Sequence, residues 1–111
     1  MQDYDKAKGN SDLAFLASQG IQLTNYYALT HPSEPNYVSV VGGDYFGITD
    51  DALHNIPAQV ATVVDILEEK GISWAEYQED QPYTGFQGFN YTTPTNNYVE
   101  YVRKHNPLVL S

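Results

Sequence analysis

Leu13, Leu16 and Ala17 recur at helical spacing between Ser11 and Gly20, so a short helix is expected over residues 11–19, with Ser11 as its N-cap and Gly20 as its stop. At residue 21 the period changes. Ile21 and Leu23 alternate with Gln22 and Thr24, the pattern of a half-buried strand over residues 21–26. After a loop over residues 28–34, Pro35 can sit in the first turn of a helix, where its missing N–H is no loss, and Tyr37, Val38, Val40 and Val41 carry that helix to Gly42-Gly43.

Pro57 repeats the device. Val60, Val63, Val64 and Leu67 fall at i, i+3, i+4 and i+7 before Lys70 and Gly71 close the helix, so this face is expected to bury against a sheet. Residues 72–77 follow as a strand, and the order helix, strand, loop, helix, helix, strand predicts an α/β sheet. Residues 78–97 are rich in Tyr, Gly, Thr, Pro and Asn without periodicity and read as a long loop. Tyr98, Val99, Tyr101 and Val102 read as a last short helix, and residues 108–110 as a strand cut off at its beginning. There is no internal repeat, and residues 1–111 read as one domain or part of one.

Charge narrows the partners. Five Lys and Arg against fourteen Asp and Glu leave a net charge of −9, and no basic run exists to neutralise a nucleic-acid backbone or an anionic membrane. An acidic surface also repels a phosphate monoester, so a phosphate site here needs helix N-termini or bound cations. With 41% hydrophobic and 17% charged residues the chain is globular in composition, and the lack of cysteine rules out disulfides and zinc–thiolate sites. No apolar run approaches a membrane span, and residues 1–5 carry no signal-peptide stretch. Asn90-Tyr91-Thr92 has the pattern of a glycosylation acceptor.

The segment from Thr30 to Tyr37 sets a hydroxyl, His31, Ser33 and the Asn36 carboxamide around Pro32 and Pro35, which stiffen the backbone. A serine there faces helix N–H groups and the positive end of the dipole, which favour a bound phosphate, and Asn36 can donate to the same oxygens. Serine is a weak nucleophile until a base or metal activates it, and His31 is near in sequence. The alternative is plain: Ser33 caps a helix, the prolines shape a turn and His31 is an exposed loop residue.

Asn25-Tyr26-Tyr27-Ala28-Leu29-Thr30-His31-Pro32-Ser33-Glu34-Pro35-Asn36-Tyr37, followed by Gly42-Gly43-Asp44, closely resembles fungal-type secreted acid phosphatases of the phosphoesterase family. Asp65-Ile66-Leu67-Glu68-Glu69-Lys70-Gly71-Ile72-Ser73-Trp74, Tyr77-Gln78-Glu79-Asp80, Pro82-Tyr83-Thr84-Gly85-Phe86 and Tyr101-Val102-Arg103-Lys104-His105-Asn106-Pro107 look like further blocks of that family. The resemblance covers nearly the whole chain. It implies the three-layer α/β/α architecture of the alkaline-phosphatase superfamily, here as a partial sandwich truncated at both ends. Ser33-Glu34-Pro35-Asn36 is similar to the Thr-x-Pro-Asn motif of related nucleotide pyrophosphatases, with serine in the nucleophile's place. It thereby implies catalytic Ser33, substrate-binding Asn36 and His31, a phosphate monoester as substrate, a divalent metal as cofactor, and secretion.

The departures concern that metal. Members of the family begin with a buried strand ending in an acidic residue and Asn of the metal centre, and continue to later Asp and His ligands; here residues 1–5 stand where the next helix opens, with Met1 in place of part of the site. The metal ligands are therefore expected to be incomplete and activity weak or absent. Asp44, Asp50, Asp51 and His54 form an oxygen-rich cluster that fits no defined calcium loop and reads more simply as solvated chain. Glu76, Glu79 and Asp80 follow a strand and either line a cleft or lie exposed; His105 beside Lys104 suits a helix end. Tyr77, Tyr83, Tyr91, Tyr98 and Tyr101 suit either a stacked ligand or a core edge.

Two functions compete on these residues: a phosphomonoester hydrolase using Ser33, and a non-catalytic secreted binding or effector protein derived from a phosphatase. In either case missing strands are expected to leave an apolar sheet edge open to self-association.

Overall fold

Proline and glycine delimit the helix that matters most. The computed structural model describes residues 4–109, and in it α1 spans Tyr4–Lys8, α2 Ser11–Ser18 and α3 Glu34–Gly42. Pro35 stands in the first turn of α3, and Gly43, at φ 76°, supplies the left-handed residue whose N–H closes on Ser39 O. Asn10, rather than Ser11, caps α2: its Oδ1 accepts from the N–H groups of Asp12 and Leu13 at 2.9 and 3.0 Å.

The next helix, α4, begins later than expected, at Val63–Glu69. Thr62 and Asp65 form a capping box, and this local signal sets the start instead of Pro57. Val60, Val64 and Leu67 are half-buried and Val63 is exposed, so the expected face is only partly covered and no sheet lies against it.

The sheet is where expectation and structure part. Residues 21–26 and 72–77 form no strand; Ile21 is 92% and Tyr77 96% exposed. A strand is held by a ladder with a neighbour, and among the described residues neither segment has one. The strands are instead β1 (Asn90–Thr92), inside the expected loop, and β2 (Val99–Val102), where a helix was expected. They pair antiparallel, Tyr91 opposite Tyr101, with a bulge between Tyr91 and Thr92. Val99, Tyr101 and Val102 are β-branched or aromatic, and pairing with β1 decides their conformation. A 3-10 turn over Arg103–His105 follows, then a second over Pro107–Val109; the strand expected at 108–110 is thus helical in its first two residues, and Leu110 lies outside the described residues.

The chain is therefore a mixed helix and strand structure with a two-stranded antiparallel sheet. Val38 and Ile48 form its main core with Leu53 and Ile56 against them. Tyr101, 1% exposed, centres a second cluster: Phe86 meets it edge-on at 5.6 Å and also packs on Tyr83 and Tyr91. Tyr101 is buried and Tyr91 half-buried, while Tyr83, Tyr77 and Tyr98 are exposed. The accessible surface is 8517 Å², against about 6,100 Å² for a compact monomer of this mass. Large apolar side chains share in this exposure, among them Ile21, Leu23, Tyr26, Tyr27 and Leu29. No helix among the described residues is long and apolar enough to cross a membrane.

Candidate functional site

The loop entering α3 carries the candidate chemistry, and one side chain braces it. Asn36 turns back from the first turn of α3: its Oδ1 accepts from Leu29 N at 2.9 Å and Thr30 N at 3.3 Å, and its Nδ2 donates to Thr30 O and Pro32 O at 2.8 Å each. Both amide protons are thereby committed to the loop. His31 lies exposed on it, joined to Pro32 by a cis peptide.

Ser33 occupies the N-cap position, half-buried and already helical at φ −71° and ψ −43°, and its side chain makes no capping hydrogen bond. The cap comes from far along the chain. Asp51 Oδ1 accepts the Glu34 N–H at 3.1 Å, while Lys104 donates to Asp51 O at 2.7 Å and to the Asp51 carboxylate. Both contacts lower the Asp51 pKa, the Lys104 hydrogen bond most.

Glu34 N–H is taken by Asp51, Pro35 has none, and Asn36 N–H donates to Ser33 O at 3.1 Å, so the N–H groups of residues 34–36 offer no spare donor. The helix dipole remains, offset by the negative charge of Asp51 at the same end.

Glu34 itself is wholly buried, and neither carboxyl oxygen has a hydrogen-bond partner. Burial, reinforced by Asp51 and opposed by Lys104 and His54, pushes its pKa up to about 7. Sequence reasoning passed over Glu34. The available signal was its spacing, for Glu34, Val38 and Val41 fall at i, i+4 and i+7 on one face of α3, and Val38 is core.

The other acidic candidates have local roles. Asp44 Oδ1 accepts from Phe46 N at 3.1 Å, and Asp50 Oδ1 accepts from Ala52 N and meets His54 Nε2 at 2.7 Å. With Asp51 held by Lys104, the sequence cluster does not converge. Among the described residues no three His, Cys, Asp or Glu side chains come together to hold a metal ion, so these residues do not make up the centre that the resemblance implies. Met1 lies outside the described residues. Glu76, Glu79 and Asp80 are exposed; with its amide nitrogen toward Glu76, buried Asn106 donates to that carboxylate at 2.8 and 3.2 Å. His105 stacks edge-on against Tyr37 at 5.3 Å, and burial lowers its pKa. A groove of about 350 Å³ lies beside the loop, walled by Tyr26, Tyr27, Leu29, Tyr37 and Val40 and reaching Asn36; Ser33 is not in its wall.

Comparison with known proteins puts this loop in context. The sequence model of the Phosphoesterase family matches residues 1–111. The chain is 60% identical over 108 residues to a probable acid phosphatase of Kluyveromyces lactis, covering 97% of this chain and 26% of that protein. It is 58% identical to an acid phosphatase of Aspergillus fumigatus, with 97% and 24% covered, and 30% identical to a phosphatidylinositol-3-phosphatase of Mycobacterium tuberculosis, with 91% and 32% covered. It thus spans about a quarter of the length of the fungal relatives. No solved structure gives a significant match.

Proposed function

The chain belongs to the phosphoesterase family, and from that premise we propose that it carries the nucleophile segment of an acid-phosphatase-like phosphomonoester hydrolase. The observation that supports this most is the place of Ser33 at the head of α3, within the Ser33-Glu34-Pro35-Asn36 segment of a chain that the family matches throughout. In the proposed reaction Ser33 Oγ bonds to phosphorus as the bond to the leaving oxygen breaks and the serine proton passes to that departing oxygen; water then attacks the phosphoserine, its oxygen leaving as part of phosphate and its proton restoring the Ser33 hydroxyl.

Phosphate binding falls to side chains, since the N–H groups of residues 34–36 offer no spare donor. His31 is exposed two positions before Ser33 in the same loop, and Asn36 takes part by exchanging its bond to Thr30 O or Pro32 O for one to a phosphoryl oxygen. A divalent metal, implied by the resemblance, would lower the pKa of a serine hydroxyl; among the described residues no three His, Cys, Asp or Glu side chains come together to hold it. The three-layer α/β/α sandwich and secretion belong to this reading through the resemblance; self-association, expected from an open sheet edge, is carried here by the exposed apolar side chains of residues 21–29.

The test is hydrolysis of p-nitrophenyl phosphate across acid and neutral pH with added divalent metal, for the chain and for Ser33→Ala. Trace turnover is expected from the chain, roughly three decades or more below a metal-activated enzyme, and none from the variant. Equal turnover by both would remove Ser33 from the reaction and favour the non-catalytic binding reading.

A further inference from the structure

We infer that Glu34 is a positioning residue for Ser33 that acts as the neutral acid: uncharged, it lets Asp51 hold the head of α3, and on ionisation it breaks that hold. Glu34 is 0% exposed, and both carboxyl oxygens lack a donor, a situation that a neutral carboxyl tolerates far better than a carboxylate.

The surrounding charges point the same way. Asp51 holds the Glu34 N–H, the charges of Asp50, Asp51, His54 and Lys104 act on the Glu34 carboxyl, and His105 acts on Asp51. Lys104 is already matched by Asp51, and His54 by Asp50. A charged Glu34 therefore adds an unbalanced negative charge beside Asp51, whose carboxylate holds the N–H of Glu34 itself. Repulsion then falls on the one bond that caps α3 from outside, one residue from Ser33.

The sign follows from proton binding. The folded Glu34 pKa is raised from 4.5 to about 7, so between those values the folded chain binds more protons than the unfolded one, and stability falls as pH rises. His105 works in the opposite sense: its pKa is lowered, so its contribution grows as pH rises through the ordinary histidine value of 6.5. The two must be separated by substitution.

The link from Glu34 to catalysis rests on the Ser33 reading, so the experiment uses two readouts independent of turnover. The first is the pH titration of the Glu side-chain carboxyl carbons by NMR in the native sequence. One resonance titrating near 7 is expected, and its assignment follows from its loss in Glu34→Gln; all carboxyls titrating near 4.5 would overturn the proposal. The second is denaturant unfolding at about pH 5 and about pH 8 for the native sequence, Glu34→Gln and His105→Gln. The native folding constant is expected to fall on the order of 100-fold more than that of Glu34→Gln, with a steeper fall still in His105→Gln. Equal falls in the native sequence and Glu34→Gln would overturn it. If Glu34→Gln does not fold, the carboxyl titration of the native sequence decides alone. Failure here leaves the Ser33 reading standing, and loss of that reading leaves both results intact.

Discussion

Lys104 closes on Asp51 across 53 positions of sequence, and through Asp51 it reaches the backbone N–H of Glu34. One ion pair thus ties the turn after β2 to the head of the candidate nucleophile helix. Lys104 and Asp51 side chains are 23% and 42% exposed, so the pair is partly screened, and its main role is geometric.

Replacing Asp51 with Ala is expected to lower stability by about 1–2 kcal/mol, the usual effect of losing a helix cap. Asp51→Asn keeps an acceptor for Glu34 N–H and should recover part of that loss. Urea unfolding of both variants checks this; equal losses would mean that the charge pair, rather than the cap, carries the effect.

Asn36 offers a cleaner test, because its acceptor and donor sides hold different atoms. Asn36→Leu removes all its loop bonds and is expected to cost about 2–3 kcal/mol. Asn36→Asp keeps the acceptor, so the amides of Leu29 and Thr30 should stay protected from hydrogen exchange while the bonds to Thr30 O and Pro32 O are lost. Faster exchange of both amides in Asn36→Asp would show that the bracket acts as a unit.

On the acid side, the pKa values of Asp65 and Asp51 are lowered from 3.8, the first by the Thr62 backbone N–H and hydroxyl, the second by Lys104. Their stabilisation is present above the unfolded value and is lost as pH falls below it, while the contribution of Glu34 is lost as pH rises from 4.5 toward 7. Stability is therefore expected to peak on the acid side of neutrality. Thermal unfolding across pH checks this, and Asp65→Asn should make the acid limb shallower.

Ile21, Leu23, Tyr26, Tyr27 and Leu29 are all exposed within one nine-residue stretch, a concentration of apolar side chains of the kind that monomers rarely leave open. Sedimentation velocity is expected to show concentration-dependent association, reduced in Ile21→Lys/Tyr27→Lys. A single species unaffected by concentration would contradict it.

Local chemistry in the sequence was enough for α2, α3 and the later part of α4: apolar spacing, a proline in the first turn and glycines at the ends act within a few residues, and the structure keeps them. The same locality made the Ser33 segment and its family resemblance legible. Residues 21–26 and 72–77 carry a strand pattern as well, yet a strand exists only when another strand supplies its ladder, and the period alone does not name that partner. Residues 98–102 fit a helical period until β1 claims them. The Asp51 cap, the commitment of the Glu34 N–H and the solitary buried carboxyl of Glu34 arise from contacts between the 50–54 loop, the head of α3 and Lys104. Only the tertiary structure decided these, because a pairing across 53 residues leaves no periodic trace in one sequence.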